Sequence, residues 1–277
     1  MLVRICDTLI DWRSDNCPAD MRPFVVGDSV ADEADLVVEL EDVDILPELP
    51  EPEYEILITE IAHNGEVLLG WNKYEGFETS TALLRLKGAR ATIVRGPDTW
   101  ECSVLNMLML ALLPVVSLRD SLLMHASLID YEGRAVAFTA SSGTGKSTQA
   151  DLWVKHLGAT IMNGDRAFMR RDPSGTWTAF GSPWAGSSPY VRDTRAPLAA
   201  VVVLEQAPEN SIRRLTGAEL MARLYNNLRY PLWDEAAIAA SLASFDALVR
   251  EVPVYLLSCR PDEEAVLVTR DAVFGAA

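Results

Sequence analysis

One nonapeptide limits the folds open to this chain: Ala140-Ser141-Ser142-Gly143-Thr144-Gly145-Lys146-Ser147-Thr148. It follows a β-type run at 134–139 and opens a helical pattern at 149–157. A strand, a glycine-bearing turn and a helix in that order let several backbone N–H groups converge on one phosphate, with the positive end of the helix behind them. Ser142, Gly143, Thr144, Gly145, Lys146, Ser147 and Thr148 make up that cradle. Lys146 is placed to reach the outer phosphates, and the Ser147 hydroxyl to ligate Mg²⁺. The pattern usually begins with Gly. Ala140 holds that place here and fits if its φ is negative.

The flanking chain supplies a second chemical group. An apolar run at 159–163 ends at Gly164-Asp165-Arg166, and Asp165 lies 19 residues after Lys146. A carboxylate at the end of the strand after the loop helix is where a second metal-directed acid belongs in enzymes with such loops. Residues 122–129 read as a strand carrying His125, and 130–133 as the turn leading into the loop's own strand. Runs at 167–171 and 176–180 flank an Asp-Pro-Ser-Gly turn and read as a hairpin. The small-residue stretch 181–189 is long for a bare connection and is a candidate functional loop. A buried strand at 198–204, a strand at 211–215, helices at 217–228 and 234–249, a strand at 252–258 and a helix at 262–271 complete the second part.

Residues 1–100 read as short strands and turns, with strands at 2–6, 35–40, 54–61, 66–71, 81–86 and 91–95. His63 sits beside a turn and reads as a surface residue. Three prolines at 47–52 exclude regular structure there. We expect a small β-rich N-terminal domain at 1–100, without catalysis of its own, and an α/β domain at 101–277. The apolar run 104–116 contains Pro114 and is too short to span a bilayer, so it reads as a buried helix with Ser103 as its N-cap.

Charge is unevenly placed. Of 40 acidic and 24 basic residues, positions 1–70 hold 18 and 3, so nearly the whole net charge of −16 sits there. That balance excludes nucleic acid as substrate, because phosphate backbones need basic patches. It suits a solvated acidic surface that keeps the chain soluble, or an acidic face for a basic peptide or protein partner. Four scattered cysteines form no CxxC pair, which fits a reducing cytoplasm and neither a zinc site nor a disulfide framework. Neither a secretion signal nor a membrane span is expected, and an oligomer is allowed.

His125, the loop and Asp165 together resemble the HPr kinase/phosphorylase superfamily, which shares its fold with phosphoenolpyruvate carboxykinases. The resemblance covers about residues 120–205. Its wider pattern, with Asn163-Gly164-Asp165-Arg166 and Gly181-Ser182-Pro183-Trp184, is similar to HPr-kinase-like proteins of peptide-modification systems such as those of lasso peptides, some of which phosphorylate a peptide's C-terminal serine. It implies a P-loop HPr-kinase/PEPCK-like domain, ATP and Mg²⁺ as cofactors, and phosphoryl transfer to a hydroxyl, here a serine of a peptide or protein. By match, Lys146, Asp165 and His125 take catalytic roles, and Ser147 and Asp165 hold the metal. One departure stands out. Of the family's two adjacent Asp residues, the one assigned as general base falls on Gly164. The base then is Asp165 itself, or comes from elsewhere, or the chain is a nucleotide-binding accessory protein without phosphoryl transfer. Glu205 is a weak substitute for the family's later acidic signature, and Arg166, Arg192 and Arg195 are candidates for neutralising charge on the transferred group.

Overall fold

Alternating strands and tight turns build the first of two compact units, residues 1–118 together with 231–238. The computed structural model describes residues 1–28, 34–56, 59–72 and 81–275. Nine strands among them form one mixed sheet: β1 (Leu2–Ile5), β2 (Thr8–Arg13), β3 (Val25–Gly27), β4 (Leu36–Asp42), β5 (Tyr54–Ile56), β6 (Thr59–Asn64), β7 (Val67–Asn72), β8 (Ala82–Lys87) and β9 (Arg90–Arg95), in the order β3-β1-β2-β4-β9-β8-β7-β6-β5. Cys6 and Asp7 sit at φ +51° and +54°, a two-residue hairpin turn whose twist suits the flanking strands. Neither residue announces such a turn, so β2 was not expected from the sequence. The single strand expected at 54–61 divides into β5 and β6, paired through Ile56 and Thr59. Leu57 and Ile58 of that run lie outside the described residues. His63 is exposed as expected, with Nδ1 2.9 Å from Glu53 Oε2.

Helix α1 (Glu101–Ser117) packs on β4, β7, β8 and β9. Apolar side chains occupy most of its circumference, and most of them are buried. The first unit therefore runs to Leu118 rather than ending near residue 100, because this helix belongs to the first sheet. Its N-cap position is Trp100, and Ser103 is a buried residue of the first turn. No helix among the described residues is long and apolar enough to cross a membrane.

The second unit spans 119–230 and 239–275 of the described chain. Two long strands organise it: β10 (Ser121–Tyr131) and β15 (Arg195–Gln206). The second half of β10 pairs with β11 (Arg134–Thr139) and β12 (Thr160–Asn163); the first half pairs with β13 (Arg166–Arg171). β14 (Trp177–Phe180) joins β13 to the start of β15, and the remainder of β15 runs parallel to β11. β10, β13, β14, β15 and β11 thus close on themselves. Beyond them, β18 (Val254–Cys259) pairs parallel to β15, and β16 (Ser211–Arg214) closes the edge.

The elements expected at 134–139 and 211–215 fall where the sequence put them, within a residue. The helix expected at 217–228 stops early: α3 spans Gly217–Leu224, a 3₁₀ turn follows, and Leu228–Arg229 forms a short strand, β17, against Leu123 and Met124 of β10. Asp234 caps α4 (Glu235–Glu251) by accepting the Ala237 N–H at 2.9 Å, and Asp262 caps α5 (Glu263–Phe274) through Ala265.

A packed aromatic group anchors helix α2 (Lys146–Leu157) behind the glycine loop. Trp153, fully buried, meets Tyr131 at 5.4 Å and 75° and Phe138 at 6.0 Å between ring centroids. Phe274 of α5 closes the group at 6.2 Å.

Candidate nucleotide and phosphoryl-transfer site

β11 ends at Thr139, the loop turns through 140–145, and α2 begins at Lys146. Gly143 and Gly145 take φ of +79° and +119°, backbone that a side chain would strain. Ala140 is buried and is not among the positive-φ residues, so its methyl is tolerated there. Lys146 folds back under the loop and donates to the Ala140 carbonyl at 3.4 Å. It is only 8% exposed. Burial pushes its ammonium below the ordinary lysine range; Asp165 opposes that shift and Arg166 adds to it.

Across the cavity from the loop stand His125 and Asp165. His125 Nε2 lies 2.9 Å from Asp165 Oδ1, and Arg166 Nη1 lies 2.9 Å from Asp165 Oδ2. Backbone bonds fix this corner. Asn163 Oδ1 accepts the N–H groups of Asp165 at 2.9 Å and Arg166 at 2.7 Å, while its amide donates to Ser182. Ser127 Oγ donates to the Gly164 carbonyl, and Thr139 Oγ1, at the end of the loop strand, donates to the carbonyl of His125. Burial works to raise the Asp165 pKa. The His125 hydrogen bond, with the Arg166, His125 and Lys146 charges, outweighs it and holds the carboxyl below its usual range.

A stability difference that depends on pH follows. Asp165→Asn is expected to cost roughly 1–3 kcal/mol at neutral pH, the scale of a buried partner left unsatisfied. Because the native carboxyl titrates below its unfolded value, that advantage is present above about pH 4 and disappears as pH falls through the native value. Denaturant midpoints of wild type and variant between neutral and acid pH read it. A gap that stays constant to acid pH contradicts the ion-paired assignment.

The cavity between loop and carboxylate has a volume of ≈ 320 Å³ and is lined by His125, Ser142, Gly143, Gly145, Lys146, Ser147, Thr148 and Asp165, among others. All of residues 142–148 except Thr144, together with His125 and Asp165, therefore line one space. Thr144 borders a neighbouring cavity of ≈ 440 Å³ on the other side of the loop, with Gln149, Gln206, Cys259 and Arg260. Sequence reasoning missed this second space. Gln149 is buried there, and its Nε2 has no protein partner. The 181–189 loop reaches the first cavity through Ala185, Ser187 and Ser188. Of the candidate arginines, Arg166 is at the site. Glu205 is held by Arg223 at 2.8 Å and lines neither cavity.

Gly164 has a steric explanation. A Cβ built there would lie 2.3 Å from Ser188 Cβ and 2.5 Å from Ser188 Oγ. The loop thus fills the place where a second carboxylate would stand. Gly164→Ala is expected to destabilise by roughly 1–3 kcal/mol, as overpacking does, and Ser188→Gly in the same chain to recover much of that loss. Thermal unfolding of the single and double variants checks the coupling; additive effects would mean the two residues do not compete for the space.

ATP fits this donor set: a left-handed glycine loop, a buried lysine beneath it, and an unpartnered amide in the adjoining cavity. For Mg²⁺ the fit is narrower. No cluster of three His, Cys, Asp or Glu side chains among the described residues could hold a metal alone. Such an ion characteristically relies on substrate phosphates and one or two protein ligands. Ser147 is exposed and available for it; Asp165 bonds His125 and Arg166, one at each oxygen, and keeps carboxylate lone pairs beyond those two bonds.

These features define a mixed α/β protein whose strand–glycine loop–helix turn opens on a cavity lined by Lys146, His125 and Asp165. A family model described as "SynChlorMet cassette protein ScmC" matches residues 96–262, and the chain belongs to that family. Among solved structures it is similar to the Hpr(Ser) kinase/phosphatase from Coxiella burnetii, at 10% identity and a TM-score of 0.34, over 54% of this chain and 95% of that one. No curated protein matches it.

Proposed function

We propose that the protein is a Mg-ATP-dependent kinase that transfers the γ-phosphoryl to a hydroxyl, such as a serine of a peptide or protein. The observation that carries this reading is the buried Lys146 beneath the loop facing the His125–Asp165 pair across one cavity. In this reading the loop N–H groups and Lys146 grip the phosphates, and the neighbouring cavity takes the nucleoside. Ser147, with Asp165, would hold Mg²⁺, which when bound neutralises phosphate charge. With Gly164 unable to supply a base, the acceptor's proton passes to the His125–Asp165 pair. Asp165 alone is a poor base, because both its oxygens are engaged and its pKa is low; His125 is the better acceptor, with Asp165 orienting it. Positioning and charge neutralisation supply most of the rate. The acidic residues of 1–70 are the surface we assign to a basic part of the acceptor.

Gly164 also favours a second reading, a nucleotide-binding accessory protein. ATP consumption separates the two. A kinase turns over ATP faster with its acceptor and loses that in both His125→Asn and Asp165→Asn. An accessory protein binds Mg-ATP in all three forms and turns over none.

A further inference from the structure

Arg229 falls between the helices expected at 217–228 and 234–249, where no strand was expected, and the strand it occupies pairs with β10 beside His125. In the β10 ladders, His125 stands opposite Arg166 on β13, and Leu123 opposite Arg229 on β17. Directly opposed residues share a face of a sheet, and so do residues two apart on one strand. His125, Arg166 and Arg229 therefore project from one face, with an arginine on each flank of the histidine.

Among the described residues Arg229 forms no ion pair. Its Nη1 donates to the Leu228 carbonyl at 2.9 Å and the Asn226 carbonyl at 3.3 Å, and its buried Nε has no hydrogen-bond partner among them. Burial and then the neighbouring Arg166 charge disfavour its charged form; Asp165, whose carboxylate already bonds His125 and Arg166, opposes them. Among the described residues at this corner, Lys146, Arg166 and Arg229 face one carboxylate, a local excess of positive charge in a chain of net charge −16. Desolvated guanidinium groups without a counter-charge are costly unless a ligand supplies one.

We infer that Arg229 and Arg166 form a second oxyanion subsite flanking His125, distinct from the N–H groups of the glycine loop. This rests on the kinase reading and adds to it. The subsite takes an anionic oxygen group, which is either the phosphoryl in transfer or an anionic group carried by the acceptor. It also divides the molecule's electrostatics: a basic partner suits residues 1–70, but the group that reaches His125 is anionic.

The test is thermal unfolding of the full chain as wild type, Arg229→Gln and Arg229→Lys. Each is measured with Mg-ADP, with Mg-ADP plus inorganic phosphate, and with the Mg complex of the non-hydrolysable imido analogue of ATP. Mg-ADP is expected to stabilise all three equally. The analogue, or phosphate added to Mg-ADP, is expected to bind Arg229→Gln about tenfold more weakly than wild type, the scale of one lost charge-assisted hydrogen bond. Arg229→Lys keeps the charge without the fork and should fall between. A loss confined to the analogue assigns the subsite to the transferred phosphoryl. A loss confined to added phosphate assigns it to the acceptor. Equal responses of wild type and Arg229→Gln to every probe overturn the inference while leaving nucleotide binding in place. If Mg-ADP stabilises none of the three, the kinase reading falls first.

Discussion

Lys146→Ala should lose its response to Mg-ATP altogether, yet fold at least as stably as wild type when no nucleotide is present. The lysine is buried, its hydrogen bond to the Ala140 carbonyl is long at 3.4 Å, and burial already disfavours its charge. Removing it therefore relieves an unfavourable desolvation in the free protein and deletes the attraction for phosphate in the complex. Wild type at about a hundred times its dissociation constant should gain roughly 2.7 kcal/mol. For a domain of this size that raises the melting temperature by roughly 5–10 °C. Calorimetric scans of both proteins with and without Mg-ATP measure the difference. A variant that shifts as far as wild type would show that the loop is not where the nucleotide binds.

Trp153→Ala carries the largest expected cost to the fold itself, roughly 3–5 kcal/mol, a large share of a typical domain's 5–15 kcal/mol. The Trp153 ring packs from α2 against Tyr131, Phe138 and Phe274, and its Nε1 has no hydrogen-bond partner among the described residues. Shape and apolar area account for its contribution, so Trp153→Phe should cost much less. Denaturant unfolding followed by near-ultraviolet circular dichroism separates the two variants. Nucleotide affinity should fall with Trp153→Ala as well, because the same contacts hold the helix that begins at the glycine loop. Equal losses for Ala and Phe would point instead to a role for the indole N–H.

Features set by local chemistry were legible in the sequence. The loop strand at 134–139, the glycines, Lys146 and the position of Asp165 follow from patterns a few residues long. Features set by packing between distant segments were not. Nothing near Gly164 says that Ser188, 24 residues on, occupies the volume of its missing side chain. Helical propensity through 217–228 gave no sign that the helix would stop at Leu224 and that Leu228, with Arg229, would pair with β10; tertiary pairing overrode it. The cavity beside Gln149 gathers residues from three separated stretches, and no spacing rule joins them. Cys6 and Asp7 adopt left-handed backbone that few sequences would assign to them.

The closed path of strands through β10, β13, β14, β15 and β11 also sets an order of events. The parallel neighbour of the loop strand, β15, begins at Arg195, far downstream of Thr139. A nascent chain that has emerged only as far as the hairpin of β13 and β14 holds the loop, His125 and Asp165, but one side of β11 still lacks its partner. Parallel pairing over such a separation closes slowly, because the entropy of the intervening chain is lost before the contacts form. Until residues 195–206 arrive, that unpaired edge is open to other strands, so the strand that carries the loop is complete only once β15 has joined it.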